Sequence, residues 1–141
     1  MRLVLDSSVA IKRVLPEKDT PKAVRLRNEF RRGGHELLAP DVFPVEVGHA
    51  LTRAERRGVI RPPSAVKRLN NVLSYPPVLF PYLPLLARAV SISSQTRQGV
   101  YDCLYVALAE REGCELLTSD VKLMNNLQSI FRFIKPLATL P

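Results

Sequence analysis

The sequence predicts an α/β fold, a three-layer α/β/α arrangement with a central parallel sheet flanked by helices. Three observations carry that expectation. Short apolar runs of strand length alternate with longer segments in which apolar residues recur every three or four positions. Glycines close several of the longer segments, at Gly33-Gly34, Gly58 and Gly113, where a helix end favours them. The first strand candidate is apolar throughout, which suits a parallel sheet covered on both faces.

Taken in order, Leu3-Val4-Leu5 reads as a buried strand ending at Asp6. Asp19-Thr20-Pro21 signals a helix start with proline in the first turn, and Ala23, Leu26 and Phe30 keep helical spacing until Gly33-Gly34. Glu36 to Ala39 is a second short strand. Asp41 is placed to cap a helix that carries Val47, Ala50, Leu51 and Ala54 and stops at Gly58, with Pro44 harmless in its first turn. Ser64 opens a helix with Val66, Leu69, Val72 and Leu73 on one face. The proline-punctuated stretch Pro76 to Pro84 leaves room for a strand at Val78 to Phe80. Helices are expected over Leu85–Thr96 and Tyr101–Glu112, separated by a break at Gln98-Gly99. A strand at Glu115–Thr118, a short helix at Lys122–Leu127 and a last strand at Ile130–Ile134 complete the series. No repeat, low-complexity tract or linker divides residues 1–141, so one domain is expected.

Composition narrows the function. The 46% hydrophobic content supports a core and argues against disorder. The most apolar stretch, Val78 to Ala87, is short and holds Pro81 and Pro84, so no membrane span is expected, and the N-terminus lacks a secretory signal pattern. Cys103 and Cys114 sit in apolar segments without metal or redox spacing, which fits buried thiols in a reducing cytoplasm. Twenty-one Lys and Arg against thirteen Asp and Glu give a net charge of +8, a balance that favours a polyanionic partner such as nucleic acid or an acidic protein.

Four of the thirteen acids stand apart. Asp6 directly follows a buried strand, and Asp120 lies two residues past another, so both fall on the rim where open α/β sheets bind ligands. Glu46 lies between Val45 and Val47, one to two turns after a helix start, and Asp102 lies at the N-terminal end of an otherwise apolar helix. Asp102 and Asp120 are equally suited to being helix N-caps. The other acids sit in charged loops, at strand entrances or among arginines on polar helix faces.

Carboxylates converging on one rim repel unless a cation bridges them. As hard oxygen ligands they suit Mg²⁺ or Mn²⁺, while the two histidines, His35 and His49, are too few for a zinc site. A cation held this way activates water and stabilises charge on a phosphoryl group, which joins the acidic centre to the basic exterior as phosphodiester hydrolysis. Nucleotide-binding glycine motifs are missing, and Ser7-Ser8 after Asp6 opposes both a phosphoacceptor receiver domain and a haloacid-dehalogenase-type phosphatase. A non-enzymatic basic module that binds RNA or protein, with its acids acting as caps, is the competing reading. Lys12, Arg53, Arg56, Arg57 and Arg61 are candidate contacts to RNA phosphates, or else a solvated helix face.

The segments Leu3-Val4-Leu5-Asp6-Ser7-Ser8-Val9-Ala10, Pro40 to Val47, Tyr101 to Ala109 and Leu117-Thr118-Ser119-Asp120 resemble, in order, the successive motifs of PIN-domain proteins. Chain length and Leu15-Pro16-Glu17 further resemble the VapC-type toxins of prokaryotic toxin–antitoxin pairs. The resemblance implies a Mg²⁺- or Mn²⁺-dependent endoribonuclease that cuts RNA, a homodimer, and a cognate VapB-type antitoxin that occludes the site. It implies Asp6 and Asp102 as principal metal ligands and Glu46 and Asp120 as the acids completing the catalytic site. Ser8 and Thr118 match hydroxyl positions that steady the cluster.

Overall fold

The computed structural model describes residues 2–15, 20–33 and 36–137. The chain forms β1 (Arg2–Leu5), α1 (Ser7–Val14), α2 (Thr20–Gly33), β2 (Glu36–Pro40), α3 (Phe43–Arg56), α4 (Ala65–Leu73) and β3 (Val78–Phe80). A 3-10 turn at Leu83–Leu85 leads into α5 (Leu86–Thr96), followed by α6 (Val100–Glu112), β4 (Glu115–Thr118), α7 (Val121–Leu127) and β5 (Ile134–Pro136). The strands make one parallel sheet in the order β3-β2-β1-β4-β5. In register, Leu3 sits beside Leu37 on one side and Glu115 on the other.

That order starts from the centre. The chain lays down β1, adds β2 and β3 on one side, then crosses to place β4 and β5 on the other. The switch point therefore lies between β1 and β4, and the carboxyl ends of those two strands carry Asp6 and the Thr118–Asp120 turn. The amide of Asp6 continues the ladder by donating to Leu117 O at 3.0 Å.

Helices cover the sheet because its strands are apolar on both faces, with Val4, Leu38 and Leu116 fully buried. The α1 helix packs against α2, α3 and α4, while α6 packs against α5 and across β1, β2 and β4. Seven consecutive residues of α6, Cys103 to Ala109, are buried, so this helix is apolar all round and serves as core. No helix among the described residues is long and apolar enough to cross a membrane.

Several local expectations change. The α1 helix was not anticipated. It has weak intrinsic propensity, with Ser7-Ser8-Val9 at its start, and is fixed by burial of Val9 and Ala10 and by Val9 N–H donating to Asp6 O. Asp41 does not cap α3. Its Oδ1 accepts from the Tyr82 amide at 3.0 Å, tying the end of β2 to the segment after β3, and Val42 stands at the cap position. Val66 points outward; α4 is seated by the expected Val72, with Leu69 packed against the core, and by Ala65 in place of Val66.

The last strand is Ile134–Pro136 rather than Ile130–Ile134. The amides of Ile130 and Phe131 both donate to Leu127 O and that of Ile134 to Phe131 O, so turns following α7 consume the groups a ladder would need. The end of β5 meets the end of β4, with Pro136 beside Thr118. Asp19, Gly34, Pro16 and Glu17, and the side chain of Phe30, lie outside the described residues.

Candidate functional site

Asp6 is a carboxylate forced into the core by its position. It ends β1, the central strand, and is 2% exposed. Both donors to its Oδ2 are hydroxyls, Ser8 Oγ at 2.5 Å and Thr118 Oγ1 at 3.0 Å. Each hydroxyl also accepts an amide from the β4–α7 turn: Ser119 N–H donates to Ser8 Oγ at 2.9 Å and Asp120 N–H to Thr118 Oγ1 at 3.0 Å. Because those amides occupy lone pairs, the hydroxyl protons are left to point at the carboxylate. The pair thus stitches the β1–α1 junction to the β4–α7 junction, with Asp6 at the seam.

The other three predicted acids arrive from separate elements. Glu46 lies in the first turn of α3, closer to the helix start than its sequence context suggested, and is half-buried although neighbouring Val45 is 74% exposed. Asp102 lies in the first turn of α6, half-buried, and Gly99 holds the cap position there. A capping role for Asp102 is thereby removed. Asp120 does cap α7, accepting the Leu123 amide on Oδ1 at 3.1 Å, so its structural role is real and coexists with its place on the rim.

The electrostatics tie the four together. Burial is the largest influence on Asp6 and pushes its pKa up to about 6; Ser8 and Thr118 oppose that, while Asp102 and Asp120 add to it. Burial likewise pushes Glu46 up to about 7; the Tyr105 hydroxyl opposes that, while Asp6 and Asp102 add to it. Asp102 is raised by burial and by Asp120, and the amide of Gln98 opposes the rise. The Tyr105 hydroxyl is itself raised, first by burial and then by the charges of Glu46 and Asp6.

Negative charges crowded in a poorly solvated place call for a compensating cation. The unused atoms support one. Asp6 Oδ1 and Glu46 Oε1 are buried and have no hydrogen-bond partner, an arrangement costly to leave unmet. Among the described residues no three His, Cys, Asp or Glu side chains are gathered tightly enough to form a protein-only metal cage. That excludes little for Mg²⁺, which keeps several waters and takes only one or two protein carboxylates directly. The donor set, all oxygen and open, fits a hydrated hard cation and does not fit tetrahedral zinc.

A groove of about 490 Å³ opens beside Glu46, lined by that residue and by Ser7, Ile11, Val45, His49, Ala50, Arg53 and Tyr101. Glu46, His49 and Arg53 lie at helical spacing along one side of α3. Of the predicted basic residues, Arg53 alone lines this groove. Arg56, Arg57 and Arg61 are exposed at and beyond the far end of α3, roughly 15 Å along the helix from Glu46 for Arg56. Lys12 is half-buried on α1. Missed in the sequence were His49 and Tyr101, which line the groove, and Gln98, which is buried and donates to Asp102 Oδ2 at 2.7 Å. The i, i+3 spacing from Glu46 is a sequence signal for His49; Gln98 resembled an ordinary helix break.

Comparison with known proteins agrees with the geometry. Residues 3–126 match the PIN domain family. Ribonuclease VapC3 of Pyrobaculum aerophilum is 30% identical over 132 residues, spanning 92% of this chain and 98% of that protein. Ribonuclease VapC12 of Mycobacterium tuberculosis is 35% identical over 121 residues, spanning 86% and 88%. The crystal structure of PAE2754 from Pyrobaculum aerophilum superposes with a TM-score of 0.71 at 23% identity, covering 99% of this chain and 94% of that one.

Proposed function

The chain belongs to the PIN-domain family in its VapC-type branch, and from that premise we propose that it is a toxin ribonuclease hydrolysing RNA phosphodiester bonds at the cluster Asp6, Glu46, Asp102 and Asp120. The observation that carries this reading is the pair of buried, unpartnered carboxylate oxygens, Asp6 Oδ1 and Glu46 Oε1, at the switch point of a sheet in a chain of net charge +8.

Asp6 and Asp102 are the principal holders of a Mg²⁺ or Mn²⁺ ion, with Glu46 and Asp120 completing its surroundings directly or through water. When bound, such an ion supplies a water of lowered pKa and a Lewis acid for the phosphoryl oxygens. The remaining work falls to the chain. Ser8 and Thr118 fix the rotamer of Asp6, and the cap bond to Leu123 N–H fixes Asp120. Arg53, in the groove beside Glu46, is the best-placed side chain for a backbone phosphate, while Lys12, Arg56, Arg57 and Arg61 extend the positive surface that draws RNA in.

A VapC-type toxin also brings partners: a VapB-type antitoxin that covers the site, a second copy of the chain as a homodimer, and a cytoplasmic setting where RNA is met. These belong to the proposal and are supported by family membership.

The test is incubation of purified wild type and Asp6→Asn with total RNA in Mg²⁺ or Mn²⁺, with and without EDTA, followed by mapping of the cut ends. Discrete cuts by wild type that vanish in EDTA and in Asp6→Asn are expected. RNA binding without cleavage, indifferent to millimolar Mg²⁺, would establish the non-enzymatic module instead.

A further inference from the structure

Gln98 is a polar side chain in a place that normally takes an apolar one. It is 2% exposed, between α5 and α6. The turn that brings it there passes through Arg97 at φ 63°, a conformation uncommon for a residue other than glycine. Its backbone is then held on both sides. Gln98 N–H donates to Thr96 Oγ1 at 3.3 Å, and the Cys103 thiol donates to Gln98 O at 3.7 Å.

The side chain spans two elements. Gln98 Nε2 donates to Asp102 Oδ2 at 2.7 Å, and Asn126 Nδ2, from α7, donates to Gln98 Oε1 at 2.8 Å. An ionised carboxylate only accepts, so the amide nitrogen of Gln98 must face Asp102 and its oxygen must face Asn126. The orientation of the amide is therefore fixed from both ends. The same α7 that presents Asp120 at its start also secures Asp102 through Asn126 and Gln98.

Asp6 is treated alike: Ser8 and Thr118 both take Oδ2, and Oδ1 is left without a partner. Each of the two principal acids has one oxygen committed to the protein. We propose that Gln98, held by Asn126, is a positioning residue that reserves Asp102 Oδ2, so that the site offers single carboxylate oxygens and favours small octahedral cations over Ca²⁺. The physical basis is that Mg²⁺ demands near-ideal octahedral geometry, whereas Ca²⁺ readily takes two oxygens from one carboxylate. This rests on the reading of the cluster as a divalent-cation site.

The test measures cation binding rather than turnover. Wild type, Gln98→Met, Asn126→Ala and the double variant are titrated with Mn²⁺, free Mn²⁺ being followed by electron paramagnetic resonance, and competed with Mg²⁺ and with Ca²⁺. Circular dichroism confirms that each is folded at the temperature used. Gln98→Met should lose about 10- to 100-fold in Mn²⁺ affinity and should gain in its Ca²⁺-to-Mn²⁺ preference. Asn126→Ala should move both quantities less, in the same direction. The double variant should be no worse than Gln98→Met, because Asn126 acts through Gln98.

Wild-type affinity and wild-type cation preference in Gln98→Met, with only thermal stability lowered, would overturn the proposal while leaving the site reading intact. Should Gln98→Met fail to fold, Asn126→Ala decides, since Asn126 is exposed; an unchanged affinity and preference there would overturn it. A wild type that binds no Mn²⁺ would overturn both readings together.

Discussion

Thr118 Oγ1 lies 3.0 Å from Asp6 Oδ2 and donates to it, joining residues 112 positions apart in the chain. The same oxygen accepts the Asp120 amide, so one hydroxyl sets the rotamer of one acid and the backbone of another. Thr118→Val keeps the shape and removes both bonds. Cleavage should fall about 10- to 100-fold, and stability by about 1–3 kcal/mol because the Asp120 amide loses its acceptor. Rates on a defined RNA and urea unfolding of the same samples check it. Unchanged cleavage in a destabilised protein would reduce Thr118 to a structural role.

Asp102 lies inside the first turn of α6 and caps nothing, so neutralising it should leave the helix intact. Asp102→Asn should abolish detectable cleavage while its melting temperature in EDTA equals or exceeds that of wild type. The gain comes from relieving repulsion with Asp120 and the cost of burying charge. A large loss of thermal stability would contradict this assignment.

The raised acids make a pH prediction. Asp6 rises from 3.8 to about 6 and Glu46 from 4.5 to about 7 in the folded chain. Between pH 4 and 7 the folded state retains protons that the unfolded chain has released, so their contribution is full below pH 4 and is lost as pH climbs through 6 and 7. For Asp6 the loss is about 3 kcal/mol. In EDTA, Asp6→Asn should therefore be more stable than wild type at pH 8 and nearly equal to it at pH 4. Denaturant titrations at both values measure the difference. A wild type whose advantage grows with pH has the sign reversed. Added Mg²⁺ should raise the wild-type melting temperature far more at pH 8 than at pH 5, and leave Asp6→Asn little changed.

The basic residues separate by position. Arg53→Ala, in the groove with Glu46, should weaken RNA binding and flatten its dependence on salt by about one phosphate contact. Arg61→Ala, beyond the end of α3, should change affinity less and leave the rate of bound RNA cleavage untouched. Binding to a non-cleavable RNA across a salt series distinguishes them. Equal effects would mean that the groove does not direct the phosphates.

The alternating architecture was readable because its inner strands hold apolar runs and three of its helices, α2, α3 and α6, run into glycines. The same was true of Asp6 and Asp120, whose place on the rim follows from where their strands end. What escaped was of two kinds. The α1 helix has little helical propensity of its own and owes its existence to burying Val9 and Ala10. At the last strand, Ile130 and Phe131 carry the apolar signal, but their amides are spent in turns after α7. Gln98 was invisible for a different reason. A glutamine next to a glycine is ordinary in sequence, and only the tertiary fold puts its amide between Asp102 and Asn126.

The central strand β1 precedes its partner β4 by more than a hundred residues. Asp6 leaves the ribosome early, but Thr118 and Asp120 belong to a segment beyond Glu112, and β1 has no neighbour on that side until it arrives. Until then Asp6 lacks the Thr118 hydroxyl and the cluster lacks Asp120, although Glu46 and Asp102 are already in the chain. The seam that fixes Asp6 Oδ2 and the carboxylate of Asp120 therefore arrive together, with the segment that follows α6.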